Sequence, residues 1–247
     1  MALAGIKKGK KGSLKERLII LGEKGIGKTT FGADAPKPIF IPTEDGCSSI
    51  EGLDYFPKQT TYKGILECIN NLGKEDHAYE TLVIDTLDGV TDLLGAELIK
   101  DEFSNNANKF NSFGAGDKRT AQKVKELMDL LDKLREAKNM RIIMLTHPGT
   151  MNVRNPEGDD YVKIIGSMGK WTWGALSNWA DRIGYAGFDF IVRHSDEDGK
   201  RGKAKQRGDD RFVRFLGTPT VDAKCRVGYE MKEDKILFTY AAYKENA

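Results

Sequence analysis

Residues Gly22 to Thr29 read GEKGIGKT and fit the pattern GxxxxGK[ST]. Nothing else in the chain constrains it as much. In such a loop the glycines let successive backbone N–H groups curl around a phosphate. The lysine reaches the β and γ oxygens, and the hydroxyl residue ligates Mg²⁺. The loop must leave a buried strand and open a helix, whose N-terminus adds its dipole. Both flanks are in place. Arg17 to Gly22 (RLIILG) is a short apolar run ended by glycine, and a helix candidate follows that stops before Pro36. Gly22, Glu23, Lys24, Gly25, Ile26, Gly27, Lys28, Thr29 and Thr30 are therefore the expected cradle for ATP and Mg²⁺. The plain alternative is a glycine turn beside an incidental lysine.

Three further residues fall where phosphate chemistry needs polar groups. Leu82 to Thr86 (LVIDT) predicts a buried strand ending in a carboxylate, so Asp85 joins Thr29 as an expected Mg²⁺ ligand. Asp88 reads as the N-cap of the helix that follows. Glu44 lies just past the apolar run Ile39 to Pro42, where a carboxylate polarises an attacking water. Asp45 is its local competitor, and a polar turn before Gly46 is the plain reading. His147 ends the run Arg141 to Thr146 and is placed either to donate to the γ-phosphate or to act as a structural strand-end histidine.

The remaining pattern is an alternation. Strands are predicted at Ile39 to Pro42, Gln59 to Tyr62, Thr81 to Thr86 and Arg141 to Thr146. Helices are predicted at Ile65 to Leu72, Asp88 to Phe103 and Thr120 to Lys138, the last from Val124, Leu127, Met128, Leu131 and Leu134. Alternation implies right-handed crossovers and a parallel sheet. Four strand-like runs then crowd together: Ile183 to Val192, Phe212 to Leu216, Val221 to Tyr229 and Lys235 to Tyr243. Short turns such as Asp198-Gly199 and Lys232 to Asp234 join them, which predicts an antiparallel C-terminal extension of the same sheet. Ser104 to Lys118 and His147 to Lys170 are rich in Asn, Gly or Pro and read as long irregular loops of the functional kind. Neither a repeat nor a linker divides the chain. A single domain over residues 17–247 is expected behind a basic arm at 1–16.

Composition excludes several classes. Of 247 residues, 39 are Lys or Arg and 37 Asp or Glu, a net charge of +2 that offers no bulk grip on nucleic acid or membrane. No run of about 18 apolar residues occurs, and the start lacks a signal-peptide core, so a cytoplasmic location is expected. Cys47, Cys68 and Cys225 are scattered, as are His77, His147 and His194, which argues against structural zinc. The cations are local, however. The first 17 residues carry six basic groups against one acid, and Gly199 to Gly208 carries five and no acid. Such segments contact phosphates or form solvated turns.

The ordered set of phosphate loop, Glu44, Asp85 and His147 resembles the RecA-type recombinase core, over roughly residues 14 to 243. The resemblance implies an α/β RecA-like P-loop NTPase: a mostly parallel sheet flanked by helices, with Glu44 as the catalytic base. His147 stands where that family usually has Gln. Two DNA-binding loops are implied. Lys109, Phe110, Phe113, Lys118 and Arg119 are the candidates in the first, and Met151, Arg154, Lys163 and Lys170 in the second. Rings stack on bases there while cations track phosphates. Trp171 and Trp173 read as packing residues. Lys224 and Arg226, in Ala223 to Val227, resemble the family's cationic element that reaches the neighbouring subunit's γ-phosphate; an ordinary charged strand is the alternative. Leu3 and Ile6 would dock on an adjacent copy. The minimal length resembles the RecA-like single-strand annealing ATPases of bacteriophages. That implies DNA-stimulated ATP hydrolysis, single-stranded DNA as partner, self-assembly as filament or ring, no membrane, and the bacterial host cytoplasm. A ring helicase or loader is another reading. A P-loop nucleotide kinase, with Arg193 to Arg214 as lid, is a third.

Overall fold

A computed structural model describes residues 14–193 and 203–247. In chain order its elements are β1 (Arg17–Gly22), α1 (Lys28–Ala33), β2 (Pro38–Pro42), β3 (Asp54–Tyr55), α2 (Tyr62–Lys74), β4 (Thr81–Asp85), α3 (Leu87–Asp101), α4 (Ala107–Asn111), α5 (Ala115–Lys138) and β5 (Arg141–Thr146). These are followed by β6 (Pro148–Val153), β7 (Tyr161–Gly166), α6 (Lys170–Trp179), β8 (Arg182–Arg193), β9 (Lys203–Arg214), β10 (Lys224–Cys225), β11 (Lys235–Leu237) and α7 (Tyr240–Asn246).

The central strands are apolar throughout because both of their faces are covered, as parallel sheets require. Side chains alternate across a strand, and the two cores divide accordingly. Ile19, Leu21, Ile39, Ile41, Leu82, Ile84, Ile142 and Met144 pack with α2, α3, α5 and α6. Their neighbours Leu18, Ile20, Phe40, Val83, Ile143 and Leu145 face α1 and the C-terminal segment. On that second face Phe31 of α1 stacks on Phe238 at 5.0 Å and meets Tyr240 and Tyr243 at 5.5 and 5.7 Å. The helix behind the phosphate loop is thereby tied to the end of the chain.

The main sheet runs β11-β9-β8-β1-β5-β4-β2-β3, with β10 on β8. From β8 through β3 every pairing is parallel. Strand β8 is the switch: parallel to β1, it pairs antiparallel with β9 and β10, and β9 does so with β11. The α/β fold of a P-loop NTPase, mostly parallel with an antiparallel extension, is thus present. β5 lies between β1 and β4, so the ends of all three converge.

Several expected elements change. Gln59 to Tyr62 is no strand, because the Thr61 hydroxyl accepts from the Gly64 amide and caps α2. The third strand is Asp54–Tyr55 instead. Asp88 is not the cap of α3. Thr86 is, its hydroxyl accepting from the Gly89 amide. Ser104 to Lys118 is largely helical: it holds α4 and the first turn of α5, with a kink where Phe113 and Gly114 have φ of 49° and 70°. His147 to Lys170 is an ordered hairpin of β6 and β7. Val221 to Tyr229 shrinks to the two residues of β10, and Lys235 to Tyr243 breaks at Thr239, whose hydroxyl caps α7. Lys15 and Glu16 belong to the packed body, with Glu16 buried and bonded to Arg141. Leu3, Ile6 and the Asp198-Gly199 turn lie outside the described residues, as does part of the basic stretch 199–208. The described parts of the expected lid, Arg193 and Lys203–Arg214, belong to β8 and β9.

Candidate active site and adjoining groove

The phosphate loop leaves β1 at Gly22 and re-enters the fold at α1. Gly27 has φ of 103°, a left-handed conformation that favours glycine and turns the next amides inward. Ile26 is 2% exposed and anchors the underside of the loop in the second core. Within the curl Lys28 donates from Nζ to the carbonyls of Gly22 at 2.7 Å and Glu23 at 3.2 Å. Burial pulls the Lys28 ammonium below its ordinary range, against the opposing pull of Asp85, Asp88 and Glu44. Beside the loop a cavity of about 510 Å³ opens between Gly27, Thr30 and Asp34 on one side and Asp210, Arg211 and Phe238 on the other.

Thr29 and Asp85 meet as expected: the Thr29 hydroxyl donates to Asp85 Oδ2 at 2.8 Å. Burial raises the Asp85 carboxyl above its usual range, although Thr29 and Lys28 oppose it. A hydroxyl and a carboxylate are hard oxygen donors at the phosphate end of the loop, and this donor set fits Mg²⁺. A bound cation would favour the charged carboxylate.

Glu44 and His147 join this group from two other strands. The Thr86 hydroxyl donates to Glu44 Oε1 at 3.3 Å, and Glu44 Oε1 lies 3.9 Å from His147 Nδ1. Asp45, the competing carboxylate, is paired with Lys58 at 2.6 Å. His147 Nδ1 is 2.9 Å from Asp88 Oδ2. Ligand atoms of Glu44, Asp88 and His147 lie within 4.8 Å of one another. Sequence reasoning missed Asp88 here, since its cap reading hid that a residue at the start of α3 overhangs the end of β5.

Lys224 and Arg226 sit elsewhere. β10 pairs with the first residues of β8, and those lie beside Leu18 at the start of β1. At ~3.3 Å per residue, that is on the order of 13 Å from the loop end of the sheet. Neither cation is gathered into the chain's own phosphate site. Arg226 is engaged by Asp181 at 3.4 Å and donates to the Asn178 carbonyl at 2.5 Å. Lys224 is half-buried, and burial, helped by Arg226, lowers its ammonium.

The DNA candidates divide. Phe110 is half-buried against Phe103, with ring centroids 5.3 Å apart, and packs over Gly95 and Gly116. Its ring is not available for stacking on a base. Arg119 is bidentate to Glu102 at 2.5 and 2.7 Å, and Lys163 pairs with Asp222 at 3.0 Å. Lys109 and Arg154 are exposed, the latter beyond the end of β6. Phe113 is fully exposed at the kink before α5.

Lys118, Met151 and Lys170 do converge. They line a groove of about 930 Å³ between α5, α6 and β6, together with Gln122, Lys125 and Trp171. Lys118 and Lys170 place their Nζ atoms 5.6 and 5.5 Å from the Trp171 ring. Trp171 is 49% exposed, while Trp173 is buried as expected and donates to Asp222. Among the described residues none of the three lysines pairs with a carboxylate. Lys118, Gln122 and Lys125 recur at helical spacing, and that periodicity was the available signal for the groove.

Among the described residues no helix is long and apolar enough to cross a membrane. No curated protein matches the chain. The AAA domain family matches residues 14–227. The match spans the phosphate loop and the mostly parallel sheet that carries it, so the chain belongs to the AAA domain family and has a P-loop ATPase-type domain.

Proposed function

We propose that this chain is a RecA-like, DNA-dependent ATPase that binds single-stranded DNA and assembles with copies of itself, as filament or ring. Its work is annealing or strand exchange in recombination, in the manner of the minimal ATPases of bacteriophages. The observation that carries the DNA reading is the groove of Lys118, Lys125, Lys170 and Trp171, an exposed ring among unpaired cations. Base stacking on aromatic residues and phosphate contacts to cations are the two terms of single-strand binding. Phe113 extends the face, since Gly114 beside it lies against the Trp171 indole.

In hydrolysis Lys28 holds the β and γ oxygens, and the cavity at Gly27 and Thr30 takes the nucleoside. Thr29 and Asp85 would hold Mg²⁺, which neutralises charge on the phosphate oxygens when bound. Glu44 accepts a proton from the attacking water, and His147 lies beside it at the end of β5 as the polar sensor of the γ-phosphate. Lys224 and Arg226, at the far end of the sheet, serve a neighbouring copy; Lys224 is the freer of the two because Arg226 is held by Asp181. The test is the ATPase rate with and without single-stranded DNA, beside a variant carrying Lys118→Ala, Lys125→Ala and Lys170→Ala. DNA should raise the wild-type rate and not that of the variant. A wild-type protein that neither binds DNA nor responds to it overturns the DNA reading.

A further inference from the structure

Asp88 makes three contacts at the end of β5. Its Oδ1 accepts from the Thr146 hydroxyl at 3.0 Å and from the His147 backbone N–H at 3.1 Å. Its Oδ2 lies 2.9 Å from His147 Nδ1. One carboxylate thus holds both the backbone and the ring of the residue that follows β5. Burial disfavours its charge, but the bonds from His147 and Thr146 outweigh burial and hold Asp88 below the usual carboxylate range. An ionised carboxylate only accepts, so the proton belongs to His147 Nδ1 and the ring's Nε2 is left for other contacts. Glu44 Oε1 stands 3.9 Å from that same Nδ1.

We propose that Asp88 is a positioning residue for ATP hydrolysis: it fixes the His147 ring with its Nδ1 proton on Asp88, and so keeps that proton off Glu44. This rests on the roles given above to Glu44 and His147. A proton donated to Glu44 would occupy the lone pair that must take a proton from water. The 1 Å difference between the two carboxylates decides which of them receives it. Lys28, Asp85 and Asp92 are charged groups near this cluster, and among the described residues none of the three bonds to the ring. With Asp88 removed, the Thr146 hydroxyl and the His147 amide lose an acceptor, and the ring is free to turn to Glu44.

Imidazole ¹⁵N NMR of the nucleotide-free protein tests this without turnover. The chain has three histidines, so His147→Gln identifies the signal. Nδ1 should be protonated in the wild type, and Asp88→Ala should shift the ring toward Nε2 protonation. In kinetics Asp88→Ala should lower kcat about 10- to 100-fold with KM within about threefold. Asp88→Glu should restore part of the loss. In a His147→Gln background Asp88→Ala should cost much less, because its main effect runs through that ring. A wild-type Nδ1 without a proton, or an undiminished Asp88→Ala loss on His147→Gln, overturns the proposal. Should Asp88→Ala not fold, Asp88→Asn keeps an acceptor for Thr146 and carries the same readouts. A wild type that hydrolyses no ATP removes the proposed function, while the NMR result still decides whether Asp88 orients the ring.

Discussion

Asp181→Asn is expected to destabilise the whole fold while leaving the nucleotide site intact. Asp181 is 1% exposed, lies between α6 and β8, and ties β1 and α5 to the residue that follows β10. It accepts from the Arg17 backbone N–H and Nε at 3.0 Å each and from Arg17 NH2 at 2.7 Å. Arg135 and Arg226 approach it at 3.5 and 3.4 Å. An asparagine keeps the shape but leaves three guanidinium groups around a neutral amide. Breaking a buried pair from one side costs about 3–5 kcal/mol, a large part of the roughly 5–15 kcal/mol that holds a domain together. At about 2–4 °C per kcal/mol for a chain of this size, Tm should fall by roughly 6 to 20 °C. Thermal unfolding followed by circular dichroism measures it, and nucleotide affinity well below Tm should be unchanged. The acid limb adds a second check. Burial opposes ionisation of Asp181, yet the bonds and charge of Arg17, with Arg135, win and depress its pKa. A depressed native pKa stabilises fully above the unfolded value of about 3.9 and is lost as pH falls through the native value. The deficit of the variant should therefore be constant near neutrality and narrow in acid. A Tm loss under about 3 °C, or a deficit that stays constant into strong acid, would refute this reasoning.

Lys28→Ala should abolish ATP binding, measurable with a fluorescent nucleotide analogue, and retained affinity would remove the loop from that role. Glu44→Gln should leave nucleotide affinity within about threefold but slow single-turnover hydrolysis by about 10² to 10⁴; an unchanged rate would exclude Glu44 as the base. Removing Lys118, Lys125 and Lys170 together should reduce the salt slope of single-strand binding by about 2, at ~0.7 per phosphate contact. Trp171→Ala should weaken binding by about 1–3 kcal/mol at every salt concentration, and a loss that vanishes at high salt would argue against stacking.

Much of the site was legible because its parts sit at strand ends. Gly22 and Asp85 end β1 and β4, Glu44 and His147 come just after β2 and β5, and parallel strands deliver their C-termini to one edge. Asp88 was misread because helix-start rules favour both Thr86 and Asp88, and only the position of β5 makes the second a partner of His147. Phe110 was misread for a related reason. An aromatic beside Asn and Lys looks solvent-facing until Gly95 and Gly116 leave room for its ring. The C-terminal runs Val221 to Tyr229 and Lys235 to Tyr243 looked like strands because Val, Ile, Phe and Tyr favour them, but the first pairs only at the two residues of β10 and the Thr239 cap ends the second early.

Local chemistry alone determined the phosphate loop, its strand and its helix, since glycine conformations, a lysine and a hydroxyl at fixed spacing leave few other uses. It also determined the buried strands, through apolar runs with nothing polar to solvate. Tertiary structure decided which distant residues share a site. The insertion of β5 between β1 and β4 put His147 beside Glu44 and Asp88. The packing of α6 on α5 brought Trp171 to Lys118, 53 positions earlier in the chain, and made a groove from residues that read separately as core and loop. Those contacts depend on how layers cross, and spacing along one chain does not encode that directly.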